Sequence, residues 1–563
     1  MESVIRMNTA PSRFAVKLLP SLADLAFLMP VVFLFGRMDG LKRLLFDCDT
    51  GWHIRTGEWI LAHHAVPYRD LFSFSKPGGA WYAWEWLSDI ILAGLNAAGG
   101  LAAVSLFAVV LIAAGFVLLF RLARRKSNAV VAIAVTILAM AGSSVHWLAR
   151  PHLFTLLFTV IFLDALDRVR EGETRVAGIP WLVLLPGLTV VWTNLHGGFL
   201  AGVSMVAVFG IAELIQVLVA AEDEARAAGL KRAGRYLLSA LGCMAASLLN
   251  PYTYHLHVHL WQYLRDPFTA EHVGEFLTIS FRDPMAVFFE IALAGGVLAA
   301  AWSARRGCYV WLLLVMMWAH AALVAARHIP IFMIVTAPIL AAAANAAFDY
   351  LPAAPVAAWL RRAAAAFGRV MRETSETDAI GRWHPVSVLA LALLAAIIYA
   401  PNPPQRFRAQ FDPKRFPAGA LSTLERYPSA RVFTFDQWGD YLIYRLYPRV
   451  RVFVDGRSDY YGPDFENKAL DVVTVSYGWD KTLARFAVDT VLMPPNTPLV
   501  GALKESSRWQ VVYDDGVALV FRARGQAQGV GVSVAAGGGE GRDREVTKTQ
   551  TSDRPITELG SKT

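Results

Sequence analysis

Residues 44–75, LLFDCDTGWHIRTGEWILAHHAVPYRDLFSFS, set Asp47 and Asp49 one residue apart directly after an apolar run. His53, Arg55, Glu58, His63, His64 and Asp70 follow closely. Two acids in D-x-D spacing have two chemistries open to them. They can offer hard oxygen ligands to a divalent cation, or one carboxylate can take a proton as general base. The spacing alone does not choose, and a solvated helix end would read the same way. Arg150–Pro151–His152 and Arg327–His328 stand at breaks between apolar runs. An arginine fork there suits phosphate oxygens, or it snorkels from a tight turn. Asn194–Leu195–His196–Gly197–Gly198 reads as a turn whose glycines permit positive φ, with Asn194 and His196 available to a ligand. His255, His257 and His259 alternate with no carboxylate at ligand spacing, so they are read as no metal site.

The elements that must position these groups are membrane helices. The chain of 563 residues is 55% hydrophobic and 17% charged, against about a quarter charged in soluble domains. Its repeated apolar runs of about 20 residues match a bilayer core of about 30 Å. Spans are predicted at 19–38, 101–121, 129–147, 152–168, 179–194, 197–219, 234–250, 285–303, 308–325, 329–347 and 385–400. The short segment 84–99 is read as an interfacial helix. The first run, with Pro30 inside it and no small-residue cleavage site after it, is read as retained. The net charge of +8 belongs to loops and implies no nucleic-acid partner. Cys48, Cys243 and Cys308 lack metal spacing, and a disulfide framework is not expected.

With residues 1–18 cytoplasmic, the inside connections carry roughly twice the Lys and Arg of the outside ones, which supports that orientation. The first outside loop then spans 39–100, and every histidine except His384 lies in or beside an outside segment. Asp47, Asp49, Arg150, His152, Asn194, His196, Asn250, Tyr252, Arg327 and His328 are expected to converge on one extracytoplasmic cavity. Ionisable groups at a membrane boundary are costly unless they line a wet cavity or pair. In GWHIRTGEWIL, Trp52, Trp59 and Ile60 are expected to face headgroups, with His53, Arg55 and Glu58 on the polar side.

Residues 405–524 read as a small extracytoplasmic α/β domain, with strand-like runs at 431–435, 451–455, 488–493, 509–513 and 517–521. A mainly parallel sheet with a closing hairpin at YDDGVA is expected. Asp436 and Asp455 follow strands, and Trp438, Tyr460 and Tyr461 are candidates for stacking on sugars, or else pack on the membrane part. AAWLRRAAAAFGRVMRE within 351–383 reads as an amphipathic surface helix. The polar, Gly-rich segment 525–563 is expected to be a disordered tail.

FDCDTGWHIRTGEWIL and the downstream VPYRDLFSFSKPGGAWYAWEWLSDI, with the architecture of residues 1–400, resemble the GT-C superfamily of integral membrane glycosyltransferases. The plan is similar to that of protein O-mannosyltransferases and the lipid A aminoarabinose transferase. QWGDYLIYRL and VFVDGRSDYY look like uncharacterised bacterial members. The resemblance implies transfer of a sugar from a polyprenyl-phosphate carrier to a glycan, lipid or protein acceptor of the cell envelope. It places the chain in a bacterial inner or plasma membrane. It implies that Asp47 or Asp49 serves as base or as ligand to Mg2+ or Mn2+, some members needing a metal and others not. Arg150, His152 and Arg327 would face the departing phosphate, with Asn194, His196 and His328 around it. The acid pair of the mannosyltransferase branch is missing, so Glu58 or Glu85 would supply a second acid. Two other readings fit the same residues: a flippase for a lipid-linked saccharide, and a non-catalytic envelope assembly protein.

Overall fold

A computed structural model describes residues 17–378 and 383–524. Most of the N-terminal segment and the whole 525–563 tail named above lie outside the described residues. Helices stand at all eleven predicted positions: α1 (Leu22–Gly36), then, after α2 (Asp49–His63), α3 (Trp86–Lys126), α4 (Ala129–Ser143), α5 (His152–Arg170), α6 (Trp181–Leu195), α7 (Phe199–Val219), α8 (Asp223–Ala246), α9 (Ala286–Ala304), α10 (Val310–Val324), α11 (Ile329–Tyr350) and, after α12 (Ala358–Asp378), α13 (Pro385–Ile398). Among the described residues, five segments are long and apolar enough to cross a membrane: Trp86–Lys126, Ala129–His146, Phe199–Val219, Ala286–Ala304 and Ala326–Ala353. α1, α6, α10 and α13 are apolar but shorter. The chain is an integral membrane protein.

Local signals set the ends. Ser21 caps α1 in a capping box with Asp24, and Asn128 accepts from Val130 N and Val131 N at the start of α4. α3 breaks at Gly99 and Gly100, where Gly100 takes φ +64, a conformation glycine adopts freely. The part before the break is the short helix predicted over 84–99, and the membrane-length part begins at Leu101. At one end of the bundle Arg125 and Lys126 pair with Asp167, at 3.2 and 2.6 Å. The opposite end gathers the turn after α1, the turns before α5, α7 and α11, and all of α2.

After residue 405 come five strands, β1 (Arg431–Phe433), β2 (Arg451–Val452), β3 (Thr490–Met493), β4 (Trp509–Asp514) and β5 (Leu519–Ala523), in the order β2-β1-β3-β5-β4. β1 runs parallel to β2 and β3, while β5 is antiparallel to β3 and β4. The sheet is thus mixed rather than mainly parallel. The difference lies in the β4–β5 hairpin, which turns at 515–518 and returns its second strand beside β3. Helix α14 (Asp436–Leu446) packs with it, and α15 (Pro463–Thr474) stacks Phe465 on Phe453 just after β2.

The first loop fuses this sheet to the bundle. Phe74 N donates to Val452 O at 3.0 Å and Val452 N to Phe72 O at 3.1 Å, so the loop covers the exposed edge of β2. Beside that edge lies the fully buried Arg457. Its guanidinium bonds Asp455 Oδ1 and Oδ2 and Asp70 Oδ1, each at 2.7 Å. Phe72, Trp81 and Tyr460 surround it at 4.5–5.0 Å. Asp70 is completed by Ser73 N and Oγ. α2 is squeezed between α3 and α14: Gly57 leaves no room for a Cβ against Asp89 O, and a Cβ on Gly51 would stand 2.7 Å from Tyr444 Cβ.

Removing the cation from this pocket strands two carboxylates. Arg457→Leu is expected to lower stability by about 3–5 kcal/mol and to separate the loop from the sheet. Thermal unfolding in detergent and protease sensitivity of the 64–84 loop check this; an unchanged midpoint would refute the latch.

Candidate active site

α2 begins at the D-x-D pair. Cys48 N donates to Gln437 Oε1 at 3.2 Å, and Thr50 Oγ1 to Ala149 O at 3.1 Å, so the start of α2 is docked on α14 and on the turn before α5. That turn carries Arg150. Its Nη1 lies 2.9 Å from Asp47 Oδ2 and its Nη2 2.7 Å from Asp49 Oδ2. Nη1 also lies 3.5 Å from Glu275 Oε2, and Glu275 Oε1 3.1 Å from Arg327 Nη1. His146 Nε2 stands 3.6 Å from the same carboxylate. The result is one alternating row, Asp47/Asp49–Arg150–Glu275–Arg327, across the end of the bundle.

The electrostatics follow from enclosure. Burial pushes the Glu275 carboxyl up, but the guanidiniums of Arg327 and Arg150 outweigh it and hold it at about 2. Burial pushes the Asp49 carboxyl up, and Asp47 adds to this, while Arg150 pulls it down; the net direction is upward. Asp440 of α14 is raised by burial and by Asp49. The two carboxyls meet around Gly456, where a Cβ would stand 2.7 Å from both Asp440 Oδ2 and Asp49 Oδ1. Asp440 Oδ1 accepts from Gly456 N at 2.9 Å, while its Oδ2 and Asp47 Oδ1 are buried without a hydrogen-bond partner. Burial and the charges of Arg327 and Arg150 lower His196 to about 3, so its imidazole is neutral.

Two cavities meet at this row. An outer one of about 650 Å³ lies between the first loop and the sheet and is lined by Arg43, Phe46, Asp47, Arg415, Asp436, Gln437 and Glu466 among others. An inner one of about 370 Å³ enters the helix bundle, with Trp52, Trp84, Leu156, Leu200, Trp318 and Ile331 beside His53, Glu85, His152, His196, Arg327 and His328. Asp49, His146, Arg150, Tyr263, Glu275 and Gly456 border both.

Of the residues singled out in the sequence, Asp47, Asp49, Arg150, His152, His196, Arg327 and His328 come together here. Asn194 does not line either cavity. Its amide donates to Val190 O and Leu249 O and accepts from Trp86 Nε1. Tyr252 bonds Pro67 O and Ala83 N within the first loop. Arg55 pairs with Glu58 at 2.6 Å and donates to Tyr444 O, away from the row. Trp52 does not face headgroups: it is buried, stacked on His53, because α2 packs between α3 and α14. His53 is likewise interior, and Glu85 lines the inner cavity. Trp438 and Tyr461 are buried by the sheet and the first loop and bond Arg415 O and Asp455, not an open surface.

Sequence reasoning missed Glu275, Gln437 and Asp440. Glu275 had a signal: Arg150 and Arg327 at one boundary need an anion. Gln437 and Asp440 had none, since only the docking of α14 on α2 brings them in. Asp47 Oδ2 and Asp49 Oδ2 bond the Arg150 guanidinium, while Asp47 Oδ1 and Asp440 Oδ2 are left without a hydrogen-bond partner. Among the described residues, no three His, Cys, Asp or Glu side chains are grouped to hold a metal.

No protein-family model matches the chain, and no curated protein does. Solved structures do. The chain is similar to the oligosaccharyltransferase AglB from Archaeoglobus fulgidus in complex with an inhibitory peptide and a dolichol-phosphate, at TM-score 0.49 and 13% identity, over 91% of this chain and 74% of that one. It is similar to ArnT from Cupriavidus metallidurans bound to undecaprenyl phosphate, at TM-score 0.43 and 15% identity, over 91% of this chain and 98% of that one. Both are GT-C membrane glycosyltransferases. A further A. fulgidus oligosaccharyltransferase structure, a complex with Zn and sulfate, matches at TM-score 0.47 and 13% identity, over 84% and 68% of the two chains.

Burial, then the charges of Asp436 and Asp455, push the outer-cavity Glu466 to about 9. A raised carboxyl binds its proton more tightly when folded. Its stabilising share is therefore complete below the unfolded value near 4.5 and is lost as pH climbs toward 9. Glu466→Gln is expected to unfold at the parent's temperature at pH 4 and to gain about 1–3 kcal/mol over it at pH 9. Calorimetry across that range decides; a variant less stable than the parent at pH 9 would contradict the assignment.

Proposed function

We propose that this protein is a GT-C-type glycosyltransferase that moves a sugar from a polyprenyl-phosphate carrier to a hydroxyl acceptor of the cell envelope. The observation that carries the reading is the place of Asp49, in the wall common to two cavities that reach it from different sides. The inner cavity enters the helix bundle past Trp52, Leu156, Leu200 and Ile331 and carries Arg327, Arg150 and the neutral His196, which suits a lipid-linked phosphate. The outer cavity, between the first loop and the sheet, suits the acceptor. Both face the outer side of the membrane when the N-terminus is inside and the eleven helices all span, which also sets residues 405–524 outside.

The acceptor oxygen attacks the anomeric carbon as the bond to phosphate breaks, with oxocarbenium character at that carbon. Asp49 takes the acceptor proton. Arg327 and Arg150 stabilise the charge that builds on the departing phosphate. Arg150 also keeps Asp47 and Asp49 aligned. A flippase needs polar groups along a mid-membrane path, whereas this polar row lies at one end of the bundle.

Transfer from a polyprenyl-phosphate sugar, measured in proteoliposomes, is expected to fall about 10²–10⁴-fold in Asp49→Asn, with folding retained. Full transfer activity of the Asp47→Asn, Asp49→Asn double variant would sink this mechanism, and absence of transfer by the parent would favour an assembly role.

A further inference from the structure

Along the wall of the inner cavity, with Asp89 behind it, runs a second row of ionisable groups. His53 Nδ1 stands 2.6 Å from Asp89 Oδ1, and His53 Nε2 3.5 Å from Glu85 Oε2. The other Glu85 oxygen, Oε1, stands 3.3 Å from His196 Nε2. His196 Nδ1 accepts from Gly198 N at 2.9 Å, so the ring carries its proton on Nε2, aimed at Glu85. The ring is braced by Thr155 Oγ1, which Trp192 Nε1 holds at 2.9 Å. His53 and Asp89 are buried, and Asp89 Oδ2 has no hydrogen-bond partner. Two enclosed carboxyls on one imidazole cannot both be ionised. The row Asp89–His53–Glu85 is a proton-sharing unit, and of its two carboxyls Glu85 is the one that lines the cavity.

Resting on the glycosyl-transfer reading, we propose that Glu85 is the general acid that protonates the departing phosphate, with His53, Asp89 and His196 as positioning residues behind it. The acceptor oxygen forms its bond to the anomeric carbon, and the carbon–oxygen bond to phosphate breaks, its electron pair going to the phosphate oxygen. The Glu85 O–H bond breaks and its proton joins that phosphate oxygen. The charge left on Glu85 faces His196 Nε2–H and is shared through His53 with Asp89, by movement of protons along the row. The protein recovers its proton from water as the carrier phosphate departs, and Asp49 releases the acceptor proton the same way. A phosphate monoester with its second pKa near ~6 is a better leaving group when it departs protonated.

The groups facing Glu85 are His53 of α2, His196 of the α6–α7 turn, Arg150, Arg327 and, from the sheet part, Asp459. Burial raises its carboxyl to about 8 against the pull of Arg150 and Arg327. The acid form therefore exists below that value and is lost above it.

The test compares the parent with Glu85→Gln and Asp89→Asn in the transfer assay, across pH. The parent's kcat is expected to fall above pH 8. Glu85→Gln is expected to lower kcat about 10²-fold with KM for the donor little changed, and to abolish that alkaline limb. Asp89→Asn is expected to move the limb while keeping donor affinity. Infrared difference spectra on adding undecaprenyl phosphate at pH 7 give a readout without turnover: a protonated-carboxyl band must respond in the parent and be missing in Glu85→Gln. A Glu85→Gln enzyme with the parent's kcat and alkaline limb, or no such band in the parent, overturns the inference. Those results leave the transferase reading standing wherever Asp49→Asn is inactive, whereas absence of transfer by the parent itself is the failure of that reading.

Discussion

Arg150 and the two acids of the first loop can be enclosed only together. Each alone would lose its hydration without compensation, at a cost of several kcal/mol. Together they make a compact arrangement in which one guanidinium holds two carboxylates within 3 Å. That demand fixes much else. The turn before α5 must lie against the start of α2, and Glu275 and Arg327 must follow to balance the remaining charge. Three acids and two arginines leave a small negative excess, which burial and Arg150 divide unequally: Glu275 is held ionised while Asp49 is lifted. One enclosed cluster thus presents both a firm anion and a carboxyl that can exchange a proton.

The second constraint joins the halves of the chain. The first loop lends an edge to the sheet and an aspartate to Arg457, and the sheet part lends Gln437, Asp440 and Gly456 to the wall around Asp49. The site is therefore not a property of the helices alone. It exists where α2 is pressed between α3 and α14, and the glycines of α2 are there because neither contact leaves room for a side chain. The same compression buries His53, which on an open interfacial helix would be solvated, and turns it toward Asp89 and Glu85.

Two cavities meet at the Asp49 carboxyl. In the proposed reading a lipid phosphate and a hydroxyl acceptor reach it from different sides, and Arg150, bonded to Asp49, serves both the leaving group and the base.

The apolar runs and the Lys/Arg distribution determined a helical membrane protein, because a bilayer permits few other ways to satisfy backbone groups. Helices duly stand at all eleven positions, and Gly99–Gly100 breaks α3 between the short segment 84–99 and the longer apolar part. That Asp47, Asp49, Arg150 and Arg327 come together was legible, since charge at the end of an apolar run needs a partner. The sequence could not tell that Asn194 braces a turn, that Trp52 and His53 face inward, or that the Asp47 and Asp49 oxygens hold a guanidinium. Nor could it reveal Gln437 and Asp440, nearly four hundred residues away along the chain. Those depend on how α2, α14 and the sheet pack, and packing of distant segments leaves no periodicity or spacing in the sequence from which it can be read.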